Sequence, residues 1–397
     1  MSKQKCYLNA MGILCSAGGS ASEVKASLLA QKTTLTMTAK LSADNKTQLP
    51  LGLYQGDLPT IPLTDKKWQS RNNQFALAVS NQIQVEVDDA LAQFGAERVA
   101  VIIGTSTSGI AESEAAIAQW ANTESIPNNY DYGLQEMGAT AQFVGQVLGV
   151  KGPCYGISTA CSSGAKALAT ARRLIDADIC DAVIAGGVDT LCQLTVHGFS
   201  SLEAVSNTFC QPFSQDRTGI NIGEGAALFL VTNSPKGVEL VGVGESSDAH
   251  HISAPDPTGA GAIRCMTAAL DDASLIVQDI TYVNLHGTAT ALNDQMESIA
   301  MNTVFGEHTL CSSTKPFIGH TLGAAGAVEA GICYLTLAED ADYFLPIQLG
   351  DGDYDTALPK INLVDSNDVL TQPLDYVLSN SFAFGGNNIS LILGRIK

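Results

Sequence analysis

The stretch GPCYGISTACSSGAKALATARR, residues 152–173, carries the pattern that decides the fold. Its first part is a short apolar run, expected to be a strand ending at Thr159–Ala160. Cys161 then opens an amphipathic helical pattern whose first turn is Ser162, Ser163 and Gly164. A strand, a turn of tiny residues and a helix make the unit from which α/β layers are built. The same shape recurs in VAVIIGTSTSG (99–109), CDAVIAGGVDT (180–190) and ITYVNLHGTAT (280–290). Continuously apolar strands of this kind suit the buried middle of a sheet.

Helical patterns fill the intervals at 70–94, 162–177 and 323–340. Each half of the chain has a strand ending in a Gly/Thr/Ser turn and a later small-residue segment opening a helix, from Cys161 in one and His320 in the other. Two similar α/β halves joined near 235–245 are therefore expected. No Pro- or Ser-rich linker separates them, which favours one compact unit.

The 397 residues are 45% hydrophobic and only 15% charged, enough apolar material for a sizeable core and too little charge for disorder. No run approaches the length of a membrane span. The N-terminus, broken by Asn9, Gly12, Gly18 and Gly19, reads as a first strand and not as a signal peptide. The net charge of −19 disfavours nucleic acid as the main partner. The ten cysteines form no CxxC pair and lie in apolar segments, as buried cytoplasmic thiols do. Asp351, Asp353 and Asp355 have calcium-loop spacing but lack its Gly and Glu, so a polar surface loop is expected.

Four segments offer chemistry. A thiol at Cys161 feels the positive end of a helix dipole, which favours the thiolate, although a buried core cysteine is the plainer alternative. His286 follows an apolar strand in a turn of Gly, Thr, Ala and Thr, a position open to acid–base or structural use. His320 stands at the mouth of a Gly/Ala-rich helix, where a depressed pKa keeps the ring neutral. Lys315 and Glu329 lie nearby in sequence, and Lys315 in so apolar a segment suits an internal charge partner. Phe382, Phe384, Gly385 and Gly386 form a loop between strand-like runs that is able to gate a pocket or simply to turn.

Taken in order, TACSSG with Cys161, HGTAT with His286, STKPFIGHTLGAAG with Lys315 and His320, and NSFAFGG near the end are similar to the β-ketoacyl-acyl-carrier-protein synthases of the KAS I/II type. PFSQDRTGINIGEGAA (212–227) and HHISAPDP (250–257) resemble further signatures of that family, and the match runs from about residue 7 to 395. The resemblance implies a thiolase fold, α/β with two similar halves in α-β-α-β-α layers. The division expected is 1–240, carrying the nucleophile, and 241–397, carrying both histidines.

It further implies that Cys161 takes an acyl group from a carrier protein as a thioester. His286 and His320 then bind the malonyl thioester oxygen and assist decarboxylation, and the carbanion attacks the acyl-enzyme. The oxyanion hole falls on the N–H groups of Cys161 and Phe384, Gly385 belongs to the gate, and Lys315 and Glu329 are charged supports. Thr288 and Thr290 are the implied pantetheine contacts. Phe382 and Thr107 are assigned to the substrate pocket, with Thr107 helping to set acyl chain length. Lys66, Lys67 and Arg71 match the family's carrier-docking helix. No cofactor or metal is implied beyond the phosphopantetheine of the carrier. The partners are acyl-carrier protein and a second copy or a related subunit, in the cytoplasm.

AFGGNN stands where the family usually has GFGGTN, so Ala383 puts a methyl where Gly gave freedom, and Cys154 stands where Asn is common. These departures, with a polar Thr107, favour a specialised polyene or polyketide branch over a housekeeping one. The alternative is a non-catalytic chain-length-factor-like subunit, against which the intact Cys161, His286 and His320 argue.

Overall fold

The strand Val99–Gly104 shows why the apolar runs must be covered on both faces. Val99, Val101 and Ile103 pack with Phe75, Val79 and Phe143 on one side, whereas Ala100 and Ile102 pack with Ala167, Leu168 and Ala171 on the other. Side chains alternate across a strand, so a strand between two helix layers has no polar face. The structure is a computed structural model that describes residues 4–128, 130–338, 343–368, 370 and 372–396.

The main sheet holds β1 (Tyr7–Cys15), β2 (Val99–Gly104), β3 (Cys154–Ile157), β4 (Ala182–Asp189), β5 (Gly225–Thr232), β6 (Val238–Ser247), β7 (Ile280–Asn284), β8 (Leu310–Ser312), β9 (Asn362–Leu363), β10 (Tyr376–Ala383) and β11 (Asn387–Arg395). Their spatial order is β9-β8-β7-β10-β11-β6-β1-β5-β4-β2-β3. In the first half β1, β5 and β4 pair antiparallel, and β4, β2 and β3 parallel. In the second half β6, β11 and β10 pair antiparallel, and β10, β7 and β8 parallel. Numbered within its own half, each sheet runs third, second, fourth, fifth, first. The halves meet where Tyr7 and Leu8 of β1 pair with Glu239 and Val238 of β6, and β9 is an addition at the far edge.

The helices that build the layers are α1 (Arg71–Gln82), α2 (Gln84–Phe94), α3 (Ile110–Thr123), α4 (Ala139–Leu148), α5 (Ser163–Asp176), α6 (Gln193–Ser201), α7 (Ala260–Ala273), α8 (Ala291–Phe305) and α9 (Ala325–Leu337). Phe75 and Val79 of α1, Val87 of α2 and Phe143 of α4 cover the outer face of the first half. Met266 and Leu270 of α7, with Met296 and Met301 of α8, cover the outer face of the second. Between the two halves of the sheet lie α5 and α9, through Ala167, Leu168, Ala327 and Val328. The order is α-β-α-β-α, the thiolase fold.

The two central helices are rich in Ala and Gly because they cross closely. A Cβ on Gly164 would lie 2.8 Å from Cβ of Ala327, and one on Gly326 would lie 2.7 Å from Cβ of Ala165. Each of these helices follows a candidate catalytic residue, so the close crossing brings the two halves' chemistry together. Among the described residues no helix is long and apolar enough to cross a membrane.

Three local expectations are corrected. The helix expected over 70–94 breaks at Ile83, where φ −116° and ψ 14° redirect the chain so that both Phe75 and Val87 reach the core. The strand before Cys161 ends at Ile157 instead of at Thr159–Ala160, and Cys154 begins it at a half-exposed sheet edge. The segment expected to be helical over 323–340 is helical from Ala325 to Leu337, with 339 and 340 outside the described residues.

Candidate active site

Cys161 stands one residue before the N-cap of α5, on a turn whose preceding residue, Ala160, has the left-handed φ of 52°. That conformation costs an alanine about 1–2 kcal/mol. Local bonds hold it: Ser163 donates to the Ala160 carbonyl through both its N–H (3.1 Å) and its Oγ (2.6 Å), and Thr159 N–H donates to Ser163 Oγ at 2.8 Å. The turn thus lifts one sulfur out of the strand-to-helix junction.

His320 lies at the equivalent junction of the second half, before the 3₁₀ turn Leu322–Ala324 that leads into α9. Its Nε2 is 3.0 Å from Cys161 Sγ. The His286 ring stands edge-on to that of His320, centroids 5.4 Å apart, and Phe382 flanks His286 at 6.3 Å. All three reactive side chains are buried.

The expectation of a thiolate at Cys161 is corrected. Burial pushes its thiol up to about 11, outweighing the opposing pull of the Lys315 charge and the Phe384 backbone N–H aimed at the sulfur. Cys161 sits just outside the helix, and desolvation of the charged form is the larger effect. Both histidines are held well below 6.5, first by burial and then by Lys315, with His320 adding to the effect on His286. The resting site is a neutral thiol facing two neutral imidazoles.

Lys315 and Glu329, both buried, stand behind the rings as an ion pair of 2.5 Å. Nζ of Lys315 also donates to the His286 carbonyl and lies 3.4 Å from His286 Nδ1. An ammonium has no lone pair to offer, so Nδ1 is the acceptor and the ring's proton sits on Nε2. His286 is thereby a fixed donor. No protein group among the described residues bonds His320 Nδ1, which leaves that ring free to accept or donate at Nε2. Sulfur and ring nitrogens of Cys161, His286 and His320 lie within 4.8 Å of one another, a donor set a soft divalent ion also uses. The proton held on His286 Nε2 does not fit that role.

A cavity of about 380 Å³ opens onto these groups, lined by Cys161, His286, His320, Thr288, Thr290, Phe382 and Phe384 among others. Thr288 and Thr290 share a hydroxyl–hydroxyl bond of 2.9 Å at its wall. Phe384 leans on Phe199 of α6, centroids 5.5 Å apart. Gly385, exposed and at φ 82°, donates to the Ile252 carbonyl at 2.8 Å, so the 384–386 turn is tied to the loop after β6. Ala383 has φ −99° and ψ 154°, a conformation open to any residue, and it lines the cavity.

Two further assignments change. Thr107 does not line the cavity: it is buried and its hydroxyl is bonded to Asp189 at 2.8 Å, which removes it as a polar contact for a primer. Arg71 is not a free docking cation, because it pairs with buried Glu224 at 2.5 Å and with the Tyr54 carbonyl at 3.0 Å. Lys66 is exposed, with its ammonium on the Asn128 carbonyl at 2.6 Å, and Lys67 lies over the Trp68 ring. Asp355 of the acidic loop pairs with Arg217 at 2.6 Å.

Several supporting carboxylates escaped the sequence reading. Glu297 accepts from the N–H groups of His286 (2.7 Å) and Gly287 (2.6 Å), and burial pushes it up to about 7. Asp294 accepts from Phe213 N–H at 2.8 Å and Ala289 N–H at 3.2 Å, shaping the turn after His286. Their spacing of three on α8 was the available signal, since it puts both on one face of the helix that follows the histidine turn.

Comparison with known proteins agrees with this geometry. Residues 10–236 match the β-ketoacyl synthase N-terminal domain and residues 238–342 the C-terminal domain. The chain is 30% identical to a 3-oxoacyl-[acyl-carrier-protein] synthase 2 of Coxiella burnetii over the whole of both chains. It is 31% identical to the Staphylococcus aureus protein of that name, over 85% of this chain and 84% of the relative. A structure of a ketosynthase in complex with its chain length factor from Xenorhabdus doucetiae superposes with a TM-score of 0.92 and 44% identity, covering 99% of this chain and 98% of its match.

Proposed function

The chain belongs to the β-ketoacyl synthase family, and on that premise we propose that it joins an acyl group to malonyl-acyl-carrier protein with loss of carbon dioxide. The observation that carries this is the 3.0 Å contact between Cys161 Sγ and His320 Nε2, with His286 held beside it as a fixed donor. In the first step Sγ attacks the acyl thioester of a carrier protein while His320 Nε2 takes its proton. Negative charge on the carbonyl oxygen is met by the N–H groups of Cys161 and Phe384. The carrier thiolate leaves and recovers the proton from His320.

In the second step malonyl-carrier occupies the cavity. Nε2–H of His286 and, once the His320 proton has moved from Nδ1 to Nε2, Nε2–H of His320 donate to its thioester oxygen as the carboxylate departs as carbon dioxide and leaves an enolate. The enolate carbon attacks the acyl carbonyl on Cys161, the C–S bond breaks, the released thiolate takes the Nε2 proton of His320 while that ring regains one from solvent, and the β-ketoacyl chain stays on the carrier. No general base is needed, because the electron pair comes from the broken C–C bond. Burial supports this by keeping both rings neutral.

Thr288 and Thr290 are the pantetheine contacts in this reading, Phe382, Phe384 and Gly385 the gate, and Lys66 with Lys67 the carrier-docking cations. No cofactor enters beyond the carrier's phosphopantetheine. In this reading the halves divide just before β6, near residue 237 instead of 240, because Val238–Ser247 is the second half's first strand. A second ketosynthase-fold subunit, identical or related, is the assigned partner, and cysteines that form no disulfide among the described residues accord with a reducing cytoplasm.

The test is intact-mass analysis after mixing the protein with acyl-carrier protein. An acyl adduct on wild type and none on Cys161→Ala is expected. No adduct with any primer, in the presence of the related subunit, would turn the reading to a non-catalytic partner.

A further inference from the structure

Cys161 belongs to the first half and His320 to the second, so their contact spans the joint between halves. We infer that Asp189, at the end of β4, is the positioning residue that sets His320 against Cys161. His320 itself is clamped by backbone from the first half: its N–H donates to the Asn221 carbonyl at 2.7 Å, and its carbonyl accepts from Gly223 N–H at 2.9 Å. The turn that follows it is tethered by a side chain: Oδ2 of Asp189 accepts from Gly323 N–H at 2.6 Å.

The other oxygen of Asp189 gathers the loop after β2. Oδ1 accepts from Thr105 Oγ1 (2.6 Å), Ser106 N–H (2.8 Å), Thr107 N–H (2.9 Å) and Thr107 Oγ1 (2.8 Å). The carboxylate is fully buried. Contact on the opposite side is equally tight. A Cβ on Gly323 would lie 2.7 Å from Oδ2 of Asp189 and 2.6 Å from Ser106 Oγ, and one on Gly187 of β4 would lie 2.8 Å from Cα of Ala324. Asp189 draws the His320 turn in, and the glycines set where it stops.

Only a carboxylate meets both sets of donors. In Asp189→Asn the remaining oxygen keeps the four donors of the 105–107 loop, so the NH₂ faces Gly323 N–H and that link is lost without a change of size. The kinetic part of the inference rests on the condensing-enzyme reading, whereas the alkylation part does not. Its readout is the rate at which iodoacetamide modifies Cys161, followed by peptide mass mapping, because that rate depends on His320 Nε2 as proton acceptor.

Expected for Asp189→Asn is a fall of about ten- to a hundredfold in Cys161 alkylation and in kcat for condensation, with KM for carrier-bound substrate within about twofold. Thr105→Val removes one donor and leaves Gly323 tethered, so it should alkylate within about threefold of wild type. A folded Asp189→Asn protein alkylated at the wild-type rate overturns the inference. So does an equal loss in Thr105→Val, which would confine Asp189 to ordering the 105–107 loop. Should Asp189→Asn not fold, Gly323→Ala disturbs the same contact from the other side; slowed alkylation upholds the inference and the wild-type rate overturns it. Failure of wild type to condense counts against the functional reading and leaves the alkylation comparison standing.

Discussion

Nζ of Lys315 lies 3.4 Å from Nδ1 of His286, close enough to hold that ring in the single tautomer that donates from Nε2. The same ammonium neutralises Glu329 at 2.5 Å, so one lysine both fixes a catalytic donor and keeps a buried carboxylate from standing alone. Lys315→Met therefore has two consequences. Condensation should fall by about a hundredfold, and unfolding stability by about 3–5 kcal/mol, since Glu329 stays buried without its partner. Steady-state kinetics beside thermal unfolding reads both, and a variant as active as wild type would remove the tautomer lock from the mechanism.

The pH dependence of Cys161 chemistry distinguishes a buried thiol from a dipole-activated one. With the thiol at about 11, alkylation of His320→Ala, which lacks the neighbouring proton acceptor, should keep rising through pH 9 without levelling. A plateau near pH 7 would mean that the helix dipole prevails over burial after all.

Stability toward acid follows from the histidines. Their folded pKa values lie well below the unfolded 6.5, so the folded state refuses protons that the unfolded chain accepts. Their contribution is complete above pH 6.5 and is lost as pH falls below it. Glu297, raised from 4.5 to about 7, works the other way, favouring the fold below 4.5 and losing that contribution as pH rises toward 7. Glu297→Gln should therefore leave a steeper acid-side loss of thermal stability between pH 7 and 5 than wild type shows; an unchanged slope would show that Glu297 does not titrate there.

Arg71 and the neighbouring lysines should separate cleanly. Neutralising Lys66 and Lys67 together should raise KM for carrier-bound substrate, most at low salt, with kcat and melting temperature unchanged. Arg71→Ala should instead cost about 2 kcal/mol of stability by leaving Glu224 buried and unpaired. Binding and melting measurements on both variants decide it, and a KM effect from Arg71 without destabilisation would restore it to the docking surface.

Much of this was legible because strand–turn–helix units leave a plain trace. The apolar run before Cys161 and the Gly/Ala pattern after His320 mark the two helices that cross at the centre, and Lys315 in an apolar segment announced its need for an internal charge partner. What escaped were contacts between distant segments. Nothing local to Thr107 shows that Asp189, in another strand, takes its hydroxyl, and nothing near Arg71 announces Glu224. The thiol of Cys161 misled for the same reason: its position along the chain indicates a dipole, whereas its burial is set by the packing of both halves.

The most direct measurement is a single turnover of protein already acylated on Cys161, mixed with malonyl-acyl-carrier protein while carbon dioxide, acyl-enzyme and carrier-bound product are followed together. One carbon dioxide and one β-ketoacyl-carrier should appear for each acyl-enzyme consumed, with His286→Ala retaining its acyl group and releasing neither. Carbon dioxide without loss of the acyl-enzyme, or turnover undiminished in His286→Ala, would contradict the account.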